Sequence, residues 1–364
     1  MVKVLFDHQI FSHQIYGGIS RYFSNIHHAI KEIHDVESSI SALYTENFYV
    51  KDDPGLLGPF VGKLMLSTPR KVHKWNKKYS KDTIRRGDFD ILHPTYYDPY
   101  FIAHCKKPYI ITVHDMIHEL YPDFFLSTDH TAKEKRACVE NAAHIIAISQ
   151  TTKNDLISIL GIPEQKISVI YHGHTPLPRT GETVNAETHG DYLLYVGARQ
   201  GYKNFDHVLI AFAELKTRNS KLILICAGGG SFSDEEEKKI SYHHITNNIL
   251  QINASDEQLS LLYQNAILFI YPSLYEGFGL PILEAFENGC PVLAADNPCF
   301  REIGGEAVGY FDPLNKQSIF MAIDKAIHNQ TLLRNLVIKG KLRLQEFTMD
   351  KCITKTLDVY RQYS

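Results

Sequence analysis

Ten short runs rich in β-branched and other apolar residues alternate with helical patterns along almost the whole chain, and that alternation leaves few architectures open. Strands that alternate with helices pair as parallel sheets with helices on both faces. The first series comprises VKVLF (2–6), DILHP (90–94), YIITV (109–113), HIIAIS (144–149) and KISVIY (166–171). The second comprises YLLYVG (192–197), KLILICAG (221–228), ILQI (249–252), ILFIYPS (267–273) and PVLAAD (291–296). Amphipathic stretches such as FDHVLIAFAELK and SDEQLSLLYQNA lie between them, the latter opened by Ser255 as N-cap before two acids. The segment HGHTPLPRTGETVNAETHGD (172–191) breaks the pattern, being rich in Pro, Gly, Thr and acids without periodicity. With 364 residues the chain holds two domains of ordinary size. The expected division is a domain over 1–172, a linker over 173–190, a domain over 191–348, and a terminal helix over 349–364 that crosses back to the first domain. The fold class is α/β, two doubly wound parallel-sheet domains. Such sheets take ligands outside the carboxyl ends of their strands, so the site is expected in the cleft between the lobes.

A net charge of −3 gives no global footprint for nucleic acid, which normally calls for a basic domain. Six cysteines without C-x-x-C spacing read as reduced thiols of a cytoplasmic protein. The start MVKVLFDHQIF lacks the apolar run of a signal peptide, and no stretch of about 18 apolar residues offers a membrane span.

The chemistry concentrates in YEGFGLPILEA (275–285), directly after the run ILFIYPS. A helix is expected from Leu280, with Pro281 in its first turn, where the missing N–H costs nothing. Glu276 then stands in the strand-to-helix loop and Glu284 in the first turn of the helix. Gly277 and Gly279 allow the backbone to pass close to a ligand, and the free amides of a helix start attract an anion. A phosphate seat flanked by two carboxylates that accept hydroxyl hydrogen bonds suits a nucleotide sugar. The plainer reading is a tight turn followed by an acid that favours the helix dipole. In YGGISRYF, Gly17 and Gly18 precede a helix expected near Ser20 and can admit a diphosphate, although G-x-G-x-x-G is absent. In GARQGYKN, Arg199 and Lys203 are four residues apart, so at helical spacing they share a face and can clamp two phosphates. His114 and Asp115 end the run YIITV.

EGFGLPILEA, GCPVLAAD and FREIGGEAVGYFDP, taken with QIYGGISRYF, TVHDMIHELYPDFF and VGARQGYKNF, resemble family 4 of the retaining glycosyltransferases over nearly the whole chain. That resemblance implies the GT-B fold, with two Rossmann-like domains and the acceptor handled by the first. It implies that Arg199 and Lys203 offset the charge of the departing nucleotide diphosphate, and that His114 lies beside the donor sugar. It gives Glu276 to the sugar hydroxyls, Glu284 to the ribose, and the amides of Phe278, Gly279 and Leu280 to phosphate. No metal or other cofactor is expected. The pairing of FDHQIF and GGISRY with HDMIHELYP resembles bacterial mannosyltransferases of surface polysaccharide assembly. GDP-mannose is therefore the favoured donor, with UDP-glucose, UDP-galactose and UDP-N-acetylhexosamine as competitors, and the acceptor is a glycan or lipid-linked glycan. Rival readings are a nucleotide-sugar epimerase, a sugar phosphorylase and a non-catalytic nucleotide-sugar sensor.

Asp88 and Asp90 spell D-x-D, but acids commonly cap a strand entry, and the paired histidines at 27–28 and 243–244 lack a third ligand at metal spacing. The segment 63–86 carries nine Lys or Arg against Asp82 alone, with Val72, Trp75 and Tyr79 at helical spacing. Such a stretch can rest on an anionic membrane or meet a pyrophosphate-linked lipid acceptor; it can equally be a solvated helix face packed on its lobe.

Overall fold

The computed structural model describes residues 1–66, 68–178 and 191–364. Two compact units emerge, one built from Met1–His172 with Asp350–Ser364 and the other from Gly173–Met349. Residues 179–190, most of the expected linker, lie outside the described residues.

The first unit contains β1 (Val2–Asp7), β2 (Val36–Ser41), β3 (Ile91–His93), β4 (Ile110–Val113), β5 (His144–Ala147) and β6 (Ile167–Val169). They pair in parallel in the orders β2-β1-β3 and β4-β5-β6, and the bridge Leu92↔Tyr109 joins the two sets. Ile91, Ile110, Ile111 and Ile145 are fully buried, as a sheet covered on both faces requires. Among the expected strands β2 is missing, because VESSIS offers only Val36 and Ile40 to a core and lies at an edge. The terminal helix Met349–Tyr363 belongs mainly to this unit. Its Tyr360 hydroxyl meets His93 Nδ1 at 2.6 Å and its Tyr363 hydroxyl meets His144 Nδ1 at 2.9 Å.

The second unit contains β7 (Tyr192–Val196), β8 (Ile223–Ala227), β9 (Ile249–Ile252), β10 (Leu268–Tyr271), β11 (Val292–Ala295) and β12 (Val308–Phe311). All are parallel, in the order β12-β11-β10-β7-β8-β9. The chain runs outward from β7 to β9, then returns to the other side of β7 and runs outward again. The order reverses between β7 and β10, and a doubly wound sheet opens its ligand crevice at the carboxyl ends of such a pair. Strand β12 was also absent from the expected set, since VGYF is short and interrupted by glycine. A Cβ at Gly309 would fall 2.4 Å from Leu293 Cδ2 on the neighbouring strand, so a larger residue there would have to displace that side chain. Two helices open on capping boxes, Ser233 with Glu236 and Ser255 with Gln258, so Ser255 caps its helix as its sequence suggests.

Candidate functional site

In the second unit the loops after β7 and β10 leave the sheet side by side, and three contacts bind them together. Leu274 N–H donates to Tyr202 O at 2.8 Å, Asn204 Nδ2 donates to Pro272 O at 3.2 Å, and Lys203 Nζ donates to Glu276 Oε1 at 2.5 Å. Asn204 adopts a left-handed backbone (φ 58°), a conformation that Asn tolerates better than most residues, and it starts the helix Phe205–Arg218. The Tyr271 hydroxyl also hydrogen-bonds Glu276, and burial together with that carboxylate raises the phenol well above its ordinary range. The Lys203 and Glu276 side chains are 20% and 16% exposed. Burial works to lower the Lys203 ammonium, but the Glu276 carboxylate and Tyr202 outweigh it and raise the pKa. The switch point therefore presents a cation and an anion that are mostly shielded from water yet reachable. In the loop after β10, Ser273 Oγ is buried with no hydrogen-bond partner among the described residues.

Arg199 and Lys203 do not share a helix face as their spacing suggested. Only 201–203 forms a turn of 3₁₀ helix, and the two cations engage different acids. Arg199 Nε donates to Glu236 Oε1 at 2.7 Å, while its terminal nitrogens donate to the carbonyls of Gly228, Gly230 and Ser231 at 2.9–3.0 Å. Burial would raise the Glu236 carboxyl, but the Arg199 guanidinium and the Ser233 amide hold it below its usual value. The guanidinium thus braces a loop in which Gly228, Gly229 and Gly230 all have positive φ, close to the end of β8. That glycine run and Glu236 went unremarked in the sequence reading; three successive glycines directly after a strand are the signal that was there to find.

The helix Leu280–Glu287 begins as expected, with Gly279 in the left-handed region (φ 108°) and Pro281 in the first turn. Glu284 lies one residue past that first turn, so it is not the dipole-capping acid that the spacing suggested. It accepts instead from the Tyr263 hydroxyl at 3.1 Å. Phe278 is buried, with its ring edge-on to Phe347 and its carbonyl accepting from the Cys299 thiol. The Gly277 and Gly279 positions carry the chain tightly from Glu276 to the helix.

The remaining expected residues are in the first unit. Gly17 precedes the helix Gly18–Lys31, which starts two residues before Ser20, and Gln14 Oε1 accepts the Ser20 N–H at 3.2 Å. That helix carries Tyr22 and Phe23, whose rings lie 5.4 and 6.0 Å from the His114 ring. His114 follows β4, stacks on His172 with ring centroids 5.7 Å apart, and has a buried Nε2 with no hydrogen-bond partner among the described residues. Burial first, then His93 and Lys135, lowers its pKa to about 3, so the ring is neutral at physiological pH. The adjoining loop is held by the buried Lys135, which donates to Asp115 O at 2.9 Å and to Glu119 Oε2 at 2.8 Å. At the end of β1, Asp7 is fully buried and accepts from Gln9, Thr95 and Tyr100, tying the loops after β1 and β3. Among the described residues no group of three or more His, Cys, Asp or Glu could hold a metal ion, and Asp90 accepts the Lys3 N–H at 2.9 Å.

Two family models account for most of the chain: Glycosyltransferase Family 4 matches residues 16–176 and Glycosyl transferases group 1 matches residues 182–343. The O-antigen chain mannosyltransferase RfbU of Salmonella typhimurium is 28% identical over 213 residues, which span 58% of this chain and 59% of that enzyme. O-antigen chain mannosyltransferase B of Escherichia coli is 24% identical over 316 residues, covering 82% of this chain and 80% of that enzyme. Among solved structures, Anabaena HepE in complex with UDP-glucose superposes with a TM-score of 0.77 at 17% identity, covering the whole of both chains. WaaG, a glycosyltransferase involved in lipopolysaccharide biosynthesis, superposes at 0.72 with 14% identity and 99% of each chain covered. Both likenesses are likenesses of fold, and they match the two parallel, doubly wound sheets described above. The chain belongs to the family 4 glycosyltransferases of GT-B fold.

Proposed function

We propose that this glycosyltransferase moves a hexose, with retention of configuration, from a nucleotide diphosphate sugar to a hydroxyl of a glycan or lipid-linked glycan in surface polysaccharide synthesis. Mannose from GDP-mannose is the favoured donor, in keeping with the mannosyltransferase names of its relatives. The observation that carries the reading is the shielded Lys203–Glu276 pair at the point where the strand order of the second unit reverses. A diphosphate arriving there competes with Glu276 for the Lys203 ammonium. Once the phosphate holds the lysine, the Glu276 carboxylate is released to accept from sugar hydroxyls. Glu284, further along the helix, receives the ribose, and the amides at the helix start face phosphate. Negative charge grows on the diphosphate as the glycosidic bond breaks, and a pre-positioned ammonium in a shielded site stabilises it without reorganising. The reading invokes no metal ion. Neutral His114 serves as a hydrogen-bonding partner for the sugar rather than as a cation.

The test combines thermal shift with product analysis. GDP, UDP, ADP and dTDP are screened first, since a ligand that binds only the folded state raises Tm by mass action. GDP is expected to give the largest shift, and GDP-mannose with a glycan acceptor is expected to yield GDP and an extended glycan. A larger shift with UDP would replace the donor. A sugar altered without any acceptor, or a reaction that depends on inorganic phosphate, would replace glycosyl transfer with epimerisation or phosphorolysis.

A further inference from the structure

We propose that the outward faces of the helices Pro59–Met65 and Pro69–Arg86 dock the protein on an anionic lipid bilayer. Gly62 fixes the rotation of the shorter helix. A Cβ there would lie 2.0 Å from Tyr44 Cδ2, so this side is pressed against Tyr44, and Leu66 just beyond it is buried too. At about 100° per residue, Phe60 and Leu64 stand on the opposite side. They are 83% and 76% exposed, and neighbouring Val61 is 45% exposed. Three large apolar side chains on the open crest of one short helix serve no core, and clustered exposure of this kind marks a surface that meets something apolar.

The longer helix is oriented by Asn76, Ser80 and Ile84, all buried along one side. Its other side exposes Lys71, Lys74, Lys78 and Arg85 to solvent, together with Trp75, over which Lys78 Nζ sits 5.3 Å from the ring centroid. This helix carries eight Lys or Arg against Asp82, in a chain whose net charge is −3. The two helices are neighbours, since Lys63 and Leu66 line the same cavity as Pro69 and Val72. Apolar side chains beside a local block of cations and an interfacial tryptophan match a bilayer with anionic headgroups, where the first enter the acyl boundary and the second meet the charge. A nucleic acid would employ the cations but leave Phe60, Val61 and Leu64 without a function. An acidic protein would need a groove for them, and they stand on a crest.

The inference does not depend on which sugar is transferred, because its test uses neither donor nor acceptor. The full chain is sedimented with phosphatidylcholine vesicles, with and without about one quarter phosphatidylglycerol, at about 0.1 M and about 0.5 M NaCl. Binding is expected only to the anionic vesicles, with release at high salt. The variant Lys71→Gln/Lys74→Gln/Lys78→Gln should lower the partition coefficient by on the order of 10²-fold. Phe60→Ser/Leu64→Ser should lower it while leaving a steep salt dependence. All five side chains are exposed, so Tm should hold in both variants. Equal binding to neutral vesicles, no binding to either kind, or wild-type binding by the charge variant would overturn the proposal.

Discussion

Among single residues, Lys203 and Arg199 looked equivalent in the sequence, as two cations after one strand, and the structure gives them opposite situations. Lys203 pairs with Glu276, a carboxylate that a ligand can replace, and with Tyr202, and it remains partly open to solvent. Arg199 donates to oxygens of four residues, and its side chain is nearly inaccessible. What residue type and spacing could say was that a cation stands at a strand end; which carbonyls surround it depends on the Gly228 loop and Glu236, more than 25 residues away. Two predictions separate the roles. Lys203→Ala should reduce kcat/KM by roughly 10²–10³-fold, the size of losing one oriented charge-stabilising donor. Its stability cost should be smaller, about 1–2 kcal/mol, because Glu276 keeps Tyr271 and some access to water. Steady-state kinetics set against a thermal melt decides it, and equal losses in both would make Lys203 structural. Arg199→Lys keeps the charge but loses the planar fork that reaches Glu236 and three carbonyls. It should cost about 3 kcal/mol, seen as a Tm fall of about 5–10 °C in the absence of nucleotide. An unmoved Tm with weakened nucleotide binding would return Arg199 to the phosphate clamp.

Elements were easiest to foresee where they are fully buried. All ten apolar runs became strands; most are central parallel strands that bury both faces and so read as unbroken apolar stretches, while β6 and β9 lie at sheet edges and are only partly buried. VESSIS and VGYF became strands for reasons outside their own composition: β2 borrows its register from β1, pairing from Val2↔Val36 to Asp7↔Ser41, and β12 borrows its own from β11. The loop-to-helix passage from Glu276 to Glu284 was legible in its order but not in its phase. Proline and glycine gave the helix start, yet Glu284 lies one residue beyond the first turn, where it accepts from the Tyr263 hydroxyl. Glu284→Ala should therefore weaken nucleotide affinity by about 10-fold through lost hydroxyl contacts while changing kcat little. Calorimetric titration of the nucleotide measures this, and an unchanged affinity would void the ribose assignment. Gly279→Ala tests the bend itself. At φ 108° an alanine is strained by about 1–3 kcal/mol, and its Cβ would lie 3.3 Å from Phe300 Cε1. Weaker nucleotide binding together with a lower Tm is expected, and wild-type values for both would show that the bend does not need glycine.

For the molecule as a whole, the two units differ in what acid does to them. In the first unit His8, His93, His114 and His172 are buried and neutral, with burial lowering each ring, His93 and His114 to about 3. Folded, these rings refuse protons that the unfolded chain accepts below about pH 6.5. The unfolded state then binds more protons, so stability is intact above pH 6.5 and declines as pH falls toward the folded values. Asp7 and Glu134 act in the opposite sense, since burial raises their carboxyls and a raised acid favours the folded state at low pH, but they are two groups against these four rings and the Asp53 carboxyl, which Lys31 and His27 hold low. In the second unit the shifted groups that titrate in acid are carboxylates held low, among them Glu236 and Asp296, and the stability they contribute is lost only below their ordinary range near pH 4. Between pH 6.5 and 4.5 the first unit should therefore lose stability while the second does not. The chain supplies a selective probe for this, because its single tryptophan, Trp75, belongs to the first unit. Urea unfolding at pH 7.5, 6 and 5, followed by Trp75 fluorescence and by far-UV circular dichroism, reads both. The fluorescence midpoint should fall steadily with pH, and the dichroism should split into an early phase that tracks it and a later one that stays in place. His93→Phe should flatten part of the pH dependence in the early phase, since a ring that never protonates is the same in both states. A single transition that moves as one with pH would show that the buried histidines do not set the acid limit of the first unit separately.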